Sequence, residues 1–390
     1  MHPEPRPGAP VPPAAPVPPA APASAAAPTA SAAPADQPPD RRREAWAALP
    51  AELRAALADR LGGAVRSVRP ATGGFTGTFA AVLSTAAGER AFVKISPAGL
   101  PPAGTYPLEA AVTAALPAAV PAPRPRWTLR AAGYVVLCLD AVPGAPPALP
   151  WRAADLSAIL DAYVRVAAAL AAPPPELIAV GLPRLADLAR ADLSWWHEVA
   201  AGREPVPDMP AGTPDPSAGF AAAPEQVAGI LATPGRLTGL LASPGRLAGL
   251  LTSPGRLGEL AAAEATLPEH VQTASVIHGD LRSDNTLINR ADGVWFCDWT
   301  WACHGPAWFD LVGLLIEAYA HGSPADAILA THPVGRSAPP AGLDAALAAL
   351  SGYLLTGAQP AVPAPPELRA HRLATGMAAL AWLADRRGWR

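Results

Sequence analysis

Eight consecutive residues, from His278 through Gly279, Asp280, Leu281, Arg282, Ser283 and Asp284 to Asn285, constrain this chain more than any other stretch. They place an acid two residues after a histidine and a carboxamide five residues after that acid, the H-x-D-x-x-x-x-N spacing of a kinase catalytic loop. Chemistry explains the spacing. Phosphoryl transfer needs a carboxylate to accept the proton of the attacking hydroxyl, and a second oxygen ligand for the magnesium ion that neutralises the phosphates. Asp280 is the expected base and Asn285 the expected metal ligand.

The residues that follow sharpen this reading. Thr286 to Asn289 and Val294 to Cys297 are two short apolar-rich runs separated by Arg290, Ala291, Asp292 and Gly293, a hairpin signal. If Asn289 and Val294 close a four-residue loop, the register pairs 288 with 295, 287 with 296 and 286 with 297, and sets Asn285 opposite Asp298. Directly opposed residues have Cα atoms roughly 4.5 to 5.5 Å apart. A carboxamide and a carboxylate held side by side can share one Mg²⁺, with phosphate oxygens and waters completing its shell. Asp284 has no place in this register. Any one of these acids alone reads as an ordinary turn residue, and it is their joint spacing that carries weight.

Upstream, strand patterns occupy roughly 64 to 70, 77 to 84 and 89 to 96, after a short helix marked by Leu53, Leu57 and Leu61. Between the first two strands, Gly73, Gly74 and Gly77 allow backbone N–H groups to approach a polyphosphate without Cβ obstruction. This is not the G-x-x-x-x-G-K-[ST] of a P-loop, so any nucleotide site is of the kinase kind. In the third strand Phe92, Lys94 and Ser96 point one way while Ala91, Val93 and Ile95 point the other. A lysine inside an apolar strand is either an edge charge or a ligand for α- and β-phosphates steadied by a glutamate. Glu109, the only acid on a helix read over Pro107 to Leu116, is the obvious partner. Tyr134 to Leu139 is a further strand, and the Pro/Gly-rich connector from Asp140 to Pro147 reads as a hinge, where adenine would bond to backbone groups near Leu137 to Asp140.

Composition bounds the rest. A hydrophobic fraction of 51% in 390 residues supplies a sizeable core, and a net charge of -3 gives no basic surplus for nucleic acid. No apolar run is long enough to span a bilayer. Cys138, Cys297 and Cys303 show no metal-ligand spacing and are too few for a disulfide framework, so a reducing cytoplasm is the expected compartment. Residues 1–42, almost wholly Pro and Ala in their first forty positions, are expected to form a disordered tail.

In this order of features the chain resembles the aminoglycoside phosphotransferase family, small-molecule kinases with a protein-kinase-like fold. The matching residues run from Gly73 and Gly74 through Lys94, Glu109, His278, Gly279, Asp280, Asn285, Asp298 and Trp299 to Gly305, Pro306 and Asp310. The resemblance implies an α+β, two-lobed protein-kinase-like fold, with a small antiparallel-sheet N-lobe over 43–140 and a larger, mainly helical C-lobe over 141–390. It implies ATP (or GTP) and Mg²⁺ as cofactors and a small-molecule hydroxyl as acceptor. It implies that Asp280 is the base, that Asn285 and Asp298 hold metal, and that Lys94 with Glu109 positions the nucleotide. His278 and Asp310 then support the loop. A catalytically silent nucleotide-binding module is the other reading, but a silent site has no need of a base.

Two departures from protein kinases favour a small acceptor. Gly279 stands where H-R-D has arginine, and only six residues separate Asp298 from Gly305, leaving no room for a long activation loop. Acids in the acceptor half, Glu198, Asp208, Asp215, Glu317 and Asp326, are scattered, while Trp195, Trp196, Trp299, Trp301 and Trp308 are plentiful. An acceptor less cationic than an aminoglycoside fits that composition better. Finally, three near-copies of a decapeptide over 229–258 read as short helices with N1 prolines in an insertion on the C-lobe surface.

Overall fold

The computed structural model describes residues 45–71, 78–209, 244–291 and 293–389. The expected tail, Gly73, Gly74 and Gly77, the first decapeptide copy and half of the second lie outside the described residues.

The N-lobe is a five-stranded antiparallel sheet in the order β1-β2-β3-β5-β4, with β1 Val65–Pro70, β2 Phe79–Thr85, β3 Arg90–Pro97, β4 Pro125–Ala131 and β5 Tyr134–Asp140. The alternation in β3 sorts its side chains onto two faces. Ala91, Val93 and Ile95 are buried with Leu53 and Leu57 of helix α1 (Ala51–Arg60). Phe92 joins Val135, Leu137 and Leu139 against Ala103 and Tyr106 of helix α2 (Pro101–Ala115). Lys94 shares that second face.

Helix α2 begins six residues before the start read from Pro107. Prolines fill its first turn, where their missing N–H costs nothing, and Pro107 sits inside it. Burial of Ala103 and Tyr106 against the sheet holds the early turns in place across that proline.

The C-lobe is mainly helical. Its principal helices are α3 Ala153–Leu170, α4 Trp195–Ala200, α5 Pro244–Thr252, α6 Pro254–Ala265, α7 Ala307–Ala320, α8 Pro340–Gly357 and α9 Pro366–Arg386. One contiguous core runs from Ile159, Tyr163 and Val166 of α3 through Leu311 and Leu315 of α7 to the Ala-rich faces of α8 and α9. The described part of the decapeptide copies joins this core. α6 does start at the proline of a Ser-Pro-Gly unit, but Leu247, Leu250 and Leu251 are buried in the C-lobe core. The described part of the repeat thus packs an apolar face into the C-lobe core. Among the described residues no helix is long and apolar enough to cross a membrane.

Candidate active site

Three short elements aim the loop. Strand β6 (Val276–Ile277) enters it, hairpin β7 (Thr286–Asn289) and β8 (Gly293–Phe296) leaves it, and β9 (Cys303–His304) pairs back onto β6. Asp310, buried in the first turn of α7, accepts the N–H of His278 at 2.7 Å and of Gly279 at 2.8 Å, and the Tyr163 hydroxyl at 2.6 Å. One carboxylate thus fixes two consecutive peptide units before Asp280. His278 Nδ1 accepts the Asp280 N–H at 3.3 Å, so its Nε2–H donates to the Cys297 carbonyl at 2.8 Å. That is a neutral imidazole, as burial and a lowered pKa require.

Gly279 has a steric reason to be glycine. Its φ is 80°, and a Cβ there would lie 2.0 Å from the Trp301 carbonyl oxygen. An arginine at this position has no space.

Each oxygen of Asp280 is held by a different group. Arg282 Nη1 donates to Oδ1 at 3.0 Å, and Asn285 Nδ2 donates to Oδ2 at 3.1 Å and to the Asp280 carbonyl at 2.8 Å. Burial pushes the Asp280 pKa up to about 7; Arg282 opposes the rise, while the charges of Asp284 and Asp298 add to it. With its amide nitrogen committed to Asp280, Asn285 has its carbonyl oxygen left to offer a cation.

The hairpin register differs by one residue from the sequence reading. Thr286 pairs with Phe296, Leu287 with Trp295, Ile288 with Val294 and Asn289 with Gly293. Gly293 takes φ 92° and becomes the first residue of β8, which shortens the loop to three residues. Asn285 therefore faces Cys297, whose N–H it accepts at 2.8 Å, rather than Asp298. Asp298 lies one residue further on in the left-handed region, with φ 62°. It leaves the ladder at that point and its side chain, 40% exposed, meets the N-lobe.

There Lys94 Nζ lies 2.8 Å from both Glu109 oxygens and 2.9 Å from Asp298 Oδ1. Thr300 Oγ1 closes the group, donating to Asp298 Oδ1 at 2.7 Å and lying 3.3 Å from Glu109 Oε2. Burial alone would lower the Lys94 pKa, but the two carboxylates raise it above its usual range. Burial alone would raise that of Asp298, yet Lys94 beside it holds it well below the usual carboxylate range. Among the described residues no three His, Cys, Asp or Glu side chains gather to hold a metal. The side-chain oxygens of Asp298 and Asn285 are of the hard kind that Mg²⁺ takes, and Mg²⁺ needs few protein ligands because phosphate and water fill its shell.

Leu137 stands opposite Lys94 in the β3–β5 ladder, whereas the Asp140 side chain turns away to the sheet surface. Leu137 is buried in the α2 cluster, with its backbone paired to β3 and β4 on either side. The Asp140 carboxylate pairs with Arg126 at 2.8 Å, and its N–H is donated to the Arg124 carbonyl at 2.8 Å. The connector behind them is tied to the hairpin instead, through paired bonds between Ala145 and Ile288 at 2.8 and 3.2 Å.

Sequence reasoning missed Arg282, Thr300 and Tyr163. Arg282 also forms a bidentate pair with Asp284, at 3.0 and 3.1 Å. Asp284 is therefore a working part of the loop, not a bystander. Its place two residues from Arg282 was visible, whereas Tyr163 lies 147 residues from Asp310 and gives no local signal.

A model of the phosphotransferase enzyme family matches residues 67–345, more than two thirds of the chain. No curated protein matches it. Solved structures do. A thermostable mutant of aminoglycoside phosphotransferase APH(4)-Ia, in ternary complex with AMP-PNP and hygromycin B, aligns at TM-score 0.52 and 14% identity, over 87% of this chain and 99% of that one. The apo form of a thermostable mutant of the same enzyme gives 0.51 and 12%, over 86% and 100%. The GDP complex of a mutant aminoglycoside 2'-phosphotransferase IIIa gives 0.50 and 15%, over 86% and 97%. These likenesses establish a shared kinase-like fold, and the family match establishes more: the chain belongs to the phosphotransferase enzyme family.

Proposed function

We propose that the protein transfers the γ-phosphate of ATP or GTP to a hydroxyl of a small molecule, with Asp280 as general base. The observation that carries this reading is the convergence of Lys94, Glu109 and Asp298 on one point, near enough to Asp280 for the Asp298 charge to raise its pKa. A strand, a helix and the residue after the hairpin meet there, where a polyphosphate and a hydroxyl must meet.

In the transfer, the acceptor hydroxyl gives its proton to Asp280 as its oxygen bonds to the γ-phosphorus. The bond from that phosphorus to the β–γ bridging oxygen breaks, and the nucleoside diphosphate leaves with the electron pair. Arg282 and Asn285 orient the base by holding one oxygen each. Lys94, kept cationic by Glu109, positions the α- and β-phosphates. Asp298 and Asn285 would hold Mg²⁺, which supplies charge neutralisation to the phosphates. Because the Asp140 N–H and the Leu137 backbone are already engaged, adenine contacts fall to the connector just beyond β5.

Titration of ATP with and without Mg²⁺ tests the site. Asp298→Asn is expected to weaken Mg²⁺-dependent ATP binding while metal-free ATP binds no worse, since a neutral amide replaces an anionic ligand. Asp187→Asn, at a surface acid paired with Arg190, is the control and should match the parent. Equal Mg²⁺ dependence in parent and Asp298→Asn overturns the assignment. Nucleotide consumption with a panel of hydroxyl compounds then tests the transfer itself.

A further inference from the structure

We propose that Trp301 is the platform on which the acceptor lies, and that the acceptor is a neutral hydroxyl compound. It presents a flat apolar face, such as the C–H face of a pyranose or an aromatic ring, to the indole while its hydroxyl reaches Asp280. The inference rests on the phosphotransferase reading above and names the substrate class for that site.

Two tryptophans bracket the turn after Asp298 and have opposite fates. Trp299 is 0% exposed, its Nε1 donates to the Phe296 carbonyl at 2.9 Å, and its ring lies 4.7 Å from that of His278. Trp301 is 52% exposed, and it is the one aromatic among the large hydrophobic residues exposed in the described part of the chain. A single exposed apolar residue is ordinary. Its position is not. A Cβ on Gly279 would lie 3.3 Å from Trp301 Cβ, so the indole springs from the backbone directly against the residue before the base. Asp280 Cα is then one step of about 3.8 Å further along the chain.

The backbone that presents the indole is fixed on both sides. Ala302 N–H bonds to the Trp299 carbonyl at 3.3 Å, and β9 follows at once, paired to β6. The exposed ring is thus held on a fixed backbone beside the loop that carries the base.

Among the described residues, the charges around the loop argue against the competing recognition chemistry. A polycationic acceptor needs spare carboxylates, and among the described residues those packed about the loop are spent. Asp284 is buried against Arg282, Glu317 accepts the Ser283 N–H at 3.0 Å, and Asp310 accepts three donors. Asp298 pairs with Lys94 through Oδ1 and is assigned above to Mg²⁺. An ammonium group near Asp280 would also meet the Arg282 guanidinium. Ring stacking is what remains, and an indole supplies it without needing charge.

Saturation-transfer NMR on the protein with ADP and Mg²⁺ tests this, using phenyl β-D-glucopyranoside as the neutral probe and D-glucosamine as the cationic one. The parent is expected to saturate the phenyl glucoside in preference to glucosamine. Trp301→Phe should keep that signal, while Trp301→Ala weakens binding about fivefold, the size of one lost stacking contact. ADP affinity should be the same in all three proteins. No binding to the parent, equal binding to parent and Trp301→Ala, or preference for glucosamine overturns the proposal. Failure of the phosphotransferase reading shows separately, as a parent that does not bind ADP with Mg²⁺.

Discussion

The two charged groups of this site are mirror images, and they do different work. On the N-lobe side a cation, Lys94, sits between two carboxylates, Glu109 and Asp298. On the loop side a carboxylate, Asp280, sits between a cation and an amide, Arg282 and Asn285. Surplus negative charge raises the Lys94 pKa against its burial, so the lysine stays cationic and acts as a fixed clamp. Asp280 is balanced more closely, and burial brings it to about 7. A group poised there can take a proton and return it, which is what general-base work near neutral pH requires.

The largest effect is expected from breaking the clamp. Lys94→Met leaves Glu109 fully buried without its cation, and removing one partner of a buried pair costs about 3 to 5 kcal/mol. Urea unfolding should show that loss. Adding Glu109→Gln should recover much of it, because the orphaned charge goes too, but should restore no phosphoryl transfer. Full stability in the single variant would mean the clamp stores no buried charge.

The loop side should respond in rate rather than in stability. Asp280→Asn is expected to lower turnover by about 10² or more while nucleotide affinity is retained. In the parent, protonated Asp280 cannot accept a proton, so the rate should fall about tenfold per pH unit as pH drops below about 7, the value burial gives it, and level off above. A rate independent of pH from 6 to 8 would take the poised base out of the comparison.

How much of this was legible depended on whether a local pattern fixed the answer. The N-lobe was readable because period two in β3 put Ala91, Val93 and Ile95 on one face and Lys94 on the other, and Glu109 was the sole acid within reach. The hairpin was recognised but its register was not. Whether Gly293 belongs to the loop or to the strand turns on one backbone torsion, and a shift of one residue moved Asn285 from Asp298 to Cys297. The start of α2 was misplaced because Pro107 looks like a first helical residue, and only tertiary packing says otherwise. The leucines of the decapeptides carried the same helical spacing whether buried or exposed, so their entry into the C-lobe core could not be read from spacing. Trp301 was one of five tryptophans until the fold buried Trp196, Trp299 and Trp308 and left it open.

The smallest effect is expected where the loop rests on α7, and its sign is set by linkage. Glu317 is buried and accepts the Ser283 N–H at 3.0 Å, one residue after Arg282. Burial pushes its pKa up to about 7 from an ordinary value of 4.5, and the Asp284 charge adds to the rise. The folded protein therefore holds this proton more tightly than the unfolded chain. The stability that the proton contributes is complete below pH 4.5 and is lost as pH rises through 7. Glutamine has the same shape, keeps a carbonyl oxygen for Ser283 and does not titrate. Glu317→Gln should therefore lie below the parent at pH 5, by the cost of its unpartnered amide N–H groups, and gain on it as pH rises to about 7, levelling off above. The net advantage over the parent at pH 8 is expected to be only about 1 kcal/mol, because the amide cost persists at every pH and offsets part of the relief. Melting temperatures of both proteins across that range check it. A difference that stays constant from pH 5 to 8 would mean that Glu317 does not titrate there, and that the support beneath the loop, unlike Asp280 above it, carries one charge state throughout.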